Sequence, residues 1–317
     1  MADVLLLSAG RRVSLFRGVA KAAEARGLSV ATADMNPDMS AACQVSGQSF
    51  RLPHVRSDEY LAALEDCCRR NGVRLVIPTI DTELPVLASL RSHFATFGCF
   101  LAVSEAPVID ACADKRKTIS FFEPYGLRSP MLYDPAHLAY PLIVKPYDGS
   151  LSVGISVVRA PEDLTAAHLA EPRNIFCQYL DPAEFEEYTC DAYYDRSGAM
   201  RCVVPRLRIE VRGGEVAKGR AVRNNIVAHL KDRIGQIDGA VGCLTIQVMR
   251  HRETSEIFLI EVNPRFGGGY PLTARSGARY HEWLIDEYLM GAAIPDYDDW
   301  RDGLMMLRYD AEVFVGE

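Results

Sequence analysis

The segment IFLIEVNPRFGGG, residues 257–269, alternates apolar and oxygen-bearing side chains before it reaches a proline and three glycines. Successive side chains of a strand face opposite ways, so Glu261 and Asn263 are expected on one face and Phe258, Ile260 and Val262 on the other. Upstream, CLTIQVM (243–249) reads as another short strand, and its one strongly polar side chain, Gln247, needs a partner to be buried in so apolar a run. Amide and carboxylate oxygens gathered from neighbouring strands suit a hard cation such as Mg²⁺, which keeps few protein ligands and fills its other positions with water and substrate phosphates. A magnesium nucleotide is the occupant that such a set predicts. The bland alternative is a solvated strand end turning into Pro264.

The 317 residues have room for about two or three globular units, and a composition 49% hydrophobic and 24% charged is ordinary for a soluble protein. A formal net charge of -7 gives no basic footprint for nucleic acid, and no polybasic run offers contact with a membrane surface. MADVLLLSAG reaches Arg11 and Arg12 too early for a signal peptide and no later run approaches a membrane span, so a cytoplasmic location is expected. The 9 cysteines include no C-x-x-C pair and are expected to be reduced and mostly buried. Small-molecule chemistry is the class that remains.

DVLLLSAG (3–10), RRVSLFRGVAKAAEARG (11–27), LSVATAD (28–34), EYLAALEDCCRRNG (59–72) and VRLVIPT (73–79) repeat a strand and helix rhythm. This predicts a doubly wound, parallel α/β sheet with right-handed crossovers. Asp34, ending the second strand, invites a dinucleotide site, but Arg11, Arg12 and Val13 follow Gly10 where the glycine fingerprint would be. The loop suits a smaller ligand. In PTIDTELPVLA (78–88), Asp81 and Glu83 follow a strand, which is where open α/β sheets place ligands; a helix N-cap is the structural alternative for one of them.

A domain boundary is expected within 105–114. Beyond it, ADKRKTISFFEPYG (113–126) predicts a helix with Lys115 near its start, and YPLIVKPYDGSLSVGISVV (140–158) a hairpin with a Gly/Ser tip. Lys145, embedded in an apolar strand, calls for an anion, and the tip offers backbone N–H groups to phosphate. SLSVG is no nucleophile elbow, because Ser150 stands where the first glycine belongs. IFCQYL (175–180) reads as a strand, and in FEEYTCDAYYD (185–195) Glu187 and Asp191 share a face. Lys218, Arg220 and Arg223 form a basic cluster. IVAHLKDRIGQIDGAVG (226–242) and PLTARSGARYHEWLIDEYLMG (271–291) each read as one helix.

The order Lys115, Lys145-Pro with its Gly/Ser loop, the Gln178 strand, Glu187-Tyr-Thr-x-Asp191, Gln247 and Glu261-x-Asn263-Pro-Arg265 resembles the ATP-grasp superfamily over nearly the whole chain. SAGRRVSL, ADMNP, IPTIDTELPVLA and DKRKT look like the small stand-alone members similar to the carbamoyl-phosphate synthase large subunit. The resemblance implies three parts: a Rossmann-like α/β pre-ATP-grasp domain (1–110), a small lid domain with the glycine loop (111–180) and an α+β C-terminal domain with the metal site (181–317). ATP would lie between the last two.

The resemblance also implies roles. Lys115 and Lys145 would meet the phosphates, with Gly149, Ser150, Ser152 and Gly154 in the loop that closes over them. Gln178, Tyr179 and Leu180 would hold adenine and Glu187 the ribose. Gln247, Glu261 and Asn263 would bind Mg²⁺, or Mn²⁺ in its place, and Lys145 and Arg265 would steady the transferred phosphoryl group. An acidic residue often follows the adenine-strand Gln in this family, and Tyr179 stands there instead. The implied activity is ATP-dependent joining of a carboxylate to an amine through an acylphosphate, on amino acids or similar small acids. A bicarbonate-activating enzyme and a non-catalytic ATP sensor are the alternatives. Arg11, Arg12 and Arg220 are then expected to meet a substrate carboxylate and Asp81 or Glu83 an ammonium. A homodimer is compatible with the resemblance.

Overall fold

Short apolar runs without polar alternation are stable as strands only when both faces are covered, and the N-terminal third is built from such runs. In the computed structural model, which describes residues 1–149 and 153–316, β1 (Val4–Leu6), β2 (Val30–Asp34), β3 (Ser49–Arg51), β4 (Leu75–Ile77) and β5 (Phe100–Leu101) form a parallel sheet. Their order is β3-β2-β1-β4-β5. Helices α1 (Val13–Glu24), α2 (Ala41–Ser46), α3 (Tyr60–Asn71) and α4 (Leu84–Ala95) complete the crossovers. The order switches direction between β1 and β4, so the loops after these strands flank the crevice where open α/β sheets bind ligands. Those loops carry Arg11, Arg12, Asp81 and Glu83.

α5 (Ala106–Ala113) and α6 (Lys115–Phe122) pack on each other and on the C-terminal sheet. The Asp114 carboxylate accepts from the Arg116 N–H at 2.8 Å, a cap that starts α6 at Lys115. A division at residue 110 falls inside α5, not in a linker. β6 (Leu132–Tyr133), β7 (Leu142–Pro146), β8 (Ser156–Val158) and β9 (Asn174–Gln178) make a four-stranded antiparallel sheet, with α7 (Ala166–Ala170) between the last two. Its own core is small: Leu142, Val144, Val158 and Phe176.

β10 (Phe185–Tyr194), β11 (Met200–Arg212), β12 (Glu215–Ala221), β13 (Gly242–His251), β14 (Ile257–Asn263) and β15 (Met305–Leu307) form the third, antiparallel sheet, in the order β14-β13-β10-β11-β12-β15. α8 (Asn225–Ile234), α9 (Tyr270–Ser276) and α10 (Tyr280–Leu289) accompany it. The stretch expected as one helix over 271–291 is two, because Gly277 takes φ 118° and ends α9. α8 also stops short of Gly242; beyond it the Ile237 N–H bonds to the Gly198 carbonyl.

One continuous apolar core joins a face of the N-terminal sheet, with Leu6, Phe16 and Val19, to C-terminal residues that include Ile246, Tyr280 and Leu284. There α1 packs on α10, and Arg26 grips Asp286 with hydrogen bonds of 2.5 and 2.6 Å. Gly18 faces His281 closely enough that a Cβ would lie 3.1 Å from the imidazole. No helix among the described residues is long and apolar enough to cross a membrane. All nine cysteines are free thiols, and most are buried.

Candidate active site

Strand register assembles the site. Gln247 on β13 pairs with Glu261 on β14 and with Thr189 on β10, while Thr245 pairs with Asn263. Residues directly opposite across strands share a face, so Gln247, Glu261 and Asn263 project together. Gln247 Nε2 donates to Glu261 Oε1, and Asn263 Nδ2 donates to the same oxygen at 3.0 Å. The expected partition of β14 fails further back. A bulge leaves Ile260 without a partner on β13, so Leu259 joins Val262 on the core face and Phe258 pairs with Met249 on the other. Phe258, Met249 and Ile260 then gather with Leu180 and Phe185 into a small apolar patch that strict alternation conceals.

Two lysines approach this cluster. Lys115 Nζ lies 3.6 Å from Glu261 Oε2 and donates to the Gly149 carbonyl at 2.6 Å, tying the start of α6 to the loop after β7. Lys145 is buried on β7; loss of hydration lowers its pKa, the Lys115 charge adds to this, and Cys177 and Glu261 oppose it. A buried ammonium of this kind is stabilised by an anion. Gly149 and Gly154 bend over Pro146, where a Cβ on either would come within 3.2 Å of the ring, and Gly154 holds φ 75°. Ser150 and Ser152 lie outside the described residues.

Gln178 ends β9, where its backbone N–H bonds to the Met131 carbonyl at 2.8 Å. Tyr179 and Leu180 follow in the connection to β10, Leu180 in the apolar patch and Tyr179 with the Arg159 guanidinium 5.9 Å from its ring centre. Glu187 faces Arg208, whose Nε lies 3.3 Å from its Oε1. Burial raises the Glu187 pKa, Arg208 opposes the rise and Glu261 adds to it. Arg208 Nη1 also donates to Gln247 Oε1 at 3.3 Å. Nothing in the sequence separates Arg208 from the other arginines of β11; only its place across from Glu187 does.

Asp191 shares the Glu187 face but is sealed off. It is fully buried, accepting two 2.9 Å hydrogen bonds from Arg206 and one of 2.6 Å from Thr273. Gly269 makes room for this pair, since a Cβ there would stand 2.9 Å from the Arg206 guanidinium carbon.

Arg265, just past the end of β14, reaches into the N-terminal domain. Its Nη2 donates to Asp81 Oδ2 at 2.6 Å and to Asn263 Oδ1 at 3.3 Å. Neither Asp81 nor Glu83 caps a helix with its side chain. Glu83 turns away from Asp81 and accepts from Ser8 Oγ at 2.6 Å and Tyr60 Oη at 3.1 Å, while its Oε2 is buried without a partner. Burial pushes its pKa up to about 7. It lines a separate cavity of about 230 Å³ with Asp34 and His54.

Arg12 is drawn in beside Arg265: burial and the Arg265 charge lower its pKa, and Glu215 and Asp81 oppose the fall. Arg11 is exposed and lies 3.2 Å from Glu215. Arg220 does not join the site. It pairs with Leu207 and Met305, one residue out of step with Arg208, and is exposed. Lys218 and Arg223 are dispersed too, paired with Glu210 at 2.6 Å and Asp298 at 2.8 Å.

Among the described residues no three His, Cys, Asp or Glu side chains gather. The donor set at Glu261 is instead one carboxylate and two amides, whose N–H groups face the carboxylate. With Lys115 and Lys145 beside it, this set fits Mg²⁺ carrying phosphate oxygens.

Residues 112–269 match the ATP-grasp domain, and residues 4–102 match the PylC-like N-terminal domain. No curated protein matches the sequence. The fold is similar to that of Rhizobium etli pyruvate carboxylase, at 16% identity and a TM-score of 0.73, over 96% of this chain but only 30% of that one. It is similar to the biotin carboxylase domain of Hydrogenobacter thermophilus 2-oxoglutarate carboxylase, solved as a dimer with MgADP, ADP and bicarbonate, at 15% identity and a TM-score of 0.72 over 96% and 73% of the two chains. L-amino acid ligase from Bacillus licheniformis matches at 16% identity and a TM-score of 0.68 over 91% and 74%. The strand-borne Gln, Glu and Asn, the paired lysines and the two domain matches lead to one assignment: the chain belongs to the ATP-grasp superfamily, behind a PylC-like N-terminal domain.

Proposed function

We propose that the protein is an ATP-dependent ligase that joins a small carboxylic acid, such as an amino acid, to an amine through an acylphosphate. The observation that carries this reading is the convergence of Gln247, Glu261 and Asn263 between Lys115 on one side and Arg265 on the other. An amine does not displace oxide from a carboxylate. Moving the γ-phosphoryl group of ATP onto the carboxylate releases ADP and turns the leaving group into phosphate; the amine then forms the C–N bond as phosphate departs and a proton is lost.

The protein's task is to position the reactants and neutralise charge. Gln247, Glu261 and Asn263 would hold Mg²⁺, which when bound would supply positive charge to offset that of the phosphates. Lys115 and Lys145 meet the phosphates and Arg265 the group in transfer. The patch of Leu180, Phe185, Met249, Phe258 and Ile260 seats the adenine ring, and Glu187 with Arg208 meets the ribose. The loop with Gly149 and Gly154 closes over the phosphates and keeps water from the acylphosphate. Arg11 and Arg12 face a substrate carboxylate, and Glu83 an ammonium in its own cavity. The three-domain division, a cytoplasmic location and a homodimer belong to the same proposal.

Bicarbonate is the second acid to test, because a relative of similar fold was solved with it. The protein is incubated with Mg-ATP and pairs of amino acids, or with bicarbonate and an amine, and ADP release is followed with mass detection of the product. A product of acid plus amine less water supports the ligase, and a carbamate supports the bicarbonate reading. ATP binding without ADP release under any pairing overturns both in favour of a sensor.

A further inference from the structure

Positive charge does not end at the phosphate site. Along β14 and its continuation the chain passes Glu261 beside Lys115, then Arg265 paired with Asp81, then Gly268, whose carbonyl accepts from Arg308 Nη2 at 2.5 Å. Arg308 Nη1 donates to Glu215 Oε2 at 2.6 Å, and Arg11 Nη2 lies 3.2 Å from Glu215 Oε1. Glycine is required for this approach, since a Cβ on Gly268 would stand 2.8 Å from the Glu215 carboxylate carbon.

Arg12 lies within electrostatic reach of Arg265, Asp81, Arg11 and Glu215. Among the described residues it makes no ion pair within 4.0 Å, and its guanidinium reaches only the Thr79 carbonyl, at 3.5 Å. Buried Arg265 Nε also lacks a partner. Four guanidiniums, of Arg11, Arg12, Arg265 and Arg308, therefore share two carboxylates, those of Asp81 and Glu215. Arg11 is exposed, but Arg12, Arg265 and Arg308 are partly withdrawn from water, and like charges held together in that way are unfavourable unless an anion joins them. Phosphates drawn to Lys115 and Lys145 would neutralise the Glu261 end of this row, while at the other end Glu215 is shared between Arg11 and Arg308.

We infer that Arg11, Arg12 and Arg308 form a second anion subsite next to Arg265, holding a carboxylate that one of the organic substrates carries and does not react. The inference rests on the ligase reading above and narrows its substrates. The spectator carboxylate belongs either to a dicarboxylic acid or to an amino acid that serves as the amine. A plain monoacid with a plain alkylamine leaves the subsite empty. Glu215, spanning Arg11 and Arg308, keeps the two guanidiniums apart and aimed.

The binding test needs no turnover. With the nucleotide site saturated by Mg-ADP, thermal melting is followed with succinate and with acetate at matched ionic strength. Succinate is expected to raise Tm by about 2 °C more than acetate, since a ligand that binds only the folded state stabilises it in proportion to its affinity. Arg12→Gln and Arg308→Gln should lose most of that difference, and Arg308→Lys should keep part of it. Equal shifts with both acids, or an undiminished succinate shift in both Gln variants, overturn the subsite. Where a Gln variant melts far below wild type without ligand, Arg308→Lys and Arg11→Gln replace it, and the same reversal applies.

A kinetic arm assigns the carboxylate. ADP release is compared between dicarboxylic and monocarboxylic acids, and between glycine and methylamine as acceptors. A preference of about tenfold in kcat/KM for the dicarboxylic acids puts the anion on the acid, and one for glycine puts it on the amine. Arg308→Gln then raises the KM of that substrate by about tenfold with kcat nearly unchanged, as loss of uniform binding does. No amide product with any pair sinks the ligase reading but leaves the succinate result standing. Amide formation without either preference, unaltered in Arg308→Gln, sinks the subsite alone.

Discussion

Arg265, just past the C-terminal sheet, and Asp81 of the N-terminal domain meet in a 2.6 Å ion pair although they stand 184 positions apart in the chain. Asn263 Oδ1 takes a second contact from the same nitrogen at 3.3 Å. Asp81 thereby fixes where the guanidinium points, and on the proposed reaction it is expected to act as a positioning residue. Asp81→Asn keeps the shape and removes the charge, and it should lower kcat by about tenfold while ADP affinity stays as in wild type. Arg220→Ala, on the opposite side of its strand, should change neither. Equal loss in both variants, by steady-state ADP release and calorimetric ADP binding, would show that the pair has no part in turnover.

Glu261 is the one carboxylate at the cluster of Gln247 and Asn263, and Lys115 stands 3.6 Å from it. Glu261→Gln removes the charge that a cation needs and should weaken Mg²⁺-dependent ADP binding by about two orders of magnitude with turnover falling alongside. Metal titration followed by calorimetry checks this. Wild-type magnesium affinity in the variant would remove Glu261 from the metal site.

Gly154 combines φ 75° with a close approach to Pro146. A β-branched side chain is strained there, so Gly154→Val should stiffen or displace the loop and reduce turnover more than it reduces Tm. A fall in Tm with kcat preserved would mark the turn as structural only.

Glu83 ties folding to pH. Burial raises its pKa from 4.5 to about 7, so between those values the unfolded chain gives up a proton that the folded chain keeps. Its contribution is therefore fully present below pH 4.5 and is lost as pH climbs toward 7, a change on the order of 3 kcal/mol. Glu83→Gln retains a group that can bond to Ser8 and Tyr60 without titrating. Melting curves from pH 4.5 to 8 should show wild type losing stability relative to the variant across that window. Parallel curves would show that the carboxyl is ionised throughout. An ammonium ligand in the cavity should flatten the wild-type curve by holding Glu83 charged.

Asp191 and Arg206 are a buried pair in which each depends on the other. Asp191→Asn leaves the guanidinium uncompensated, with its Nη1 already unpartnered, and should cost roughly 3–5 kcal/mol in urea unfolding. Glu187→Gln, on the same face but opening to the site, should affect nucleotide affinity and leave the urea midpoint near wild type. The reverse ranking would exchange the two roles.

The gathering of Gln247, Glu261 and Asn263 was legible because strand periodicity is local: the two-residue spacing of Glu261 and Asn263 and the isolated polarity of Gln247 are properties of short windows. The bulge at Ile260 was not, since it arises from pairing with β13, and it alone moved Phe258 to the face that carries Gln247 and Glu261. Gly277 carried a readable signal, a glycine inside a helical pattern, yet its φ of 118° follows from the contacts of the turn. Arg208, Glu215 and Arg308 looked like ordinary surface charges because their partners lie on other strands or at the far end of the chain. Arg220 showed the converse error: it shares a face of β12 with Lys218, and that face is the exposed one, opposite to the side on which Arg208 points.

The apolar core that runs without a break from the N-terminal sheet into the C-terminal domain also sets how this chain can be divided or recombined. Residues 4–102, cut free, would expose Leu6, Phe16 and Val19 to water and should aggregate instead of folding. Descent is constrained in the same way. A larger residue at position 18 has to be matched by a smaller one at 281, and Arg26 and Asp286 have to change together. The four-stranded sheet of β6 to β9, with its separate small core, is under no such obligation, so it is the segment to exchange when chimeras with other ATP-grasp proteins are built.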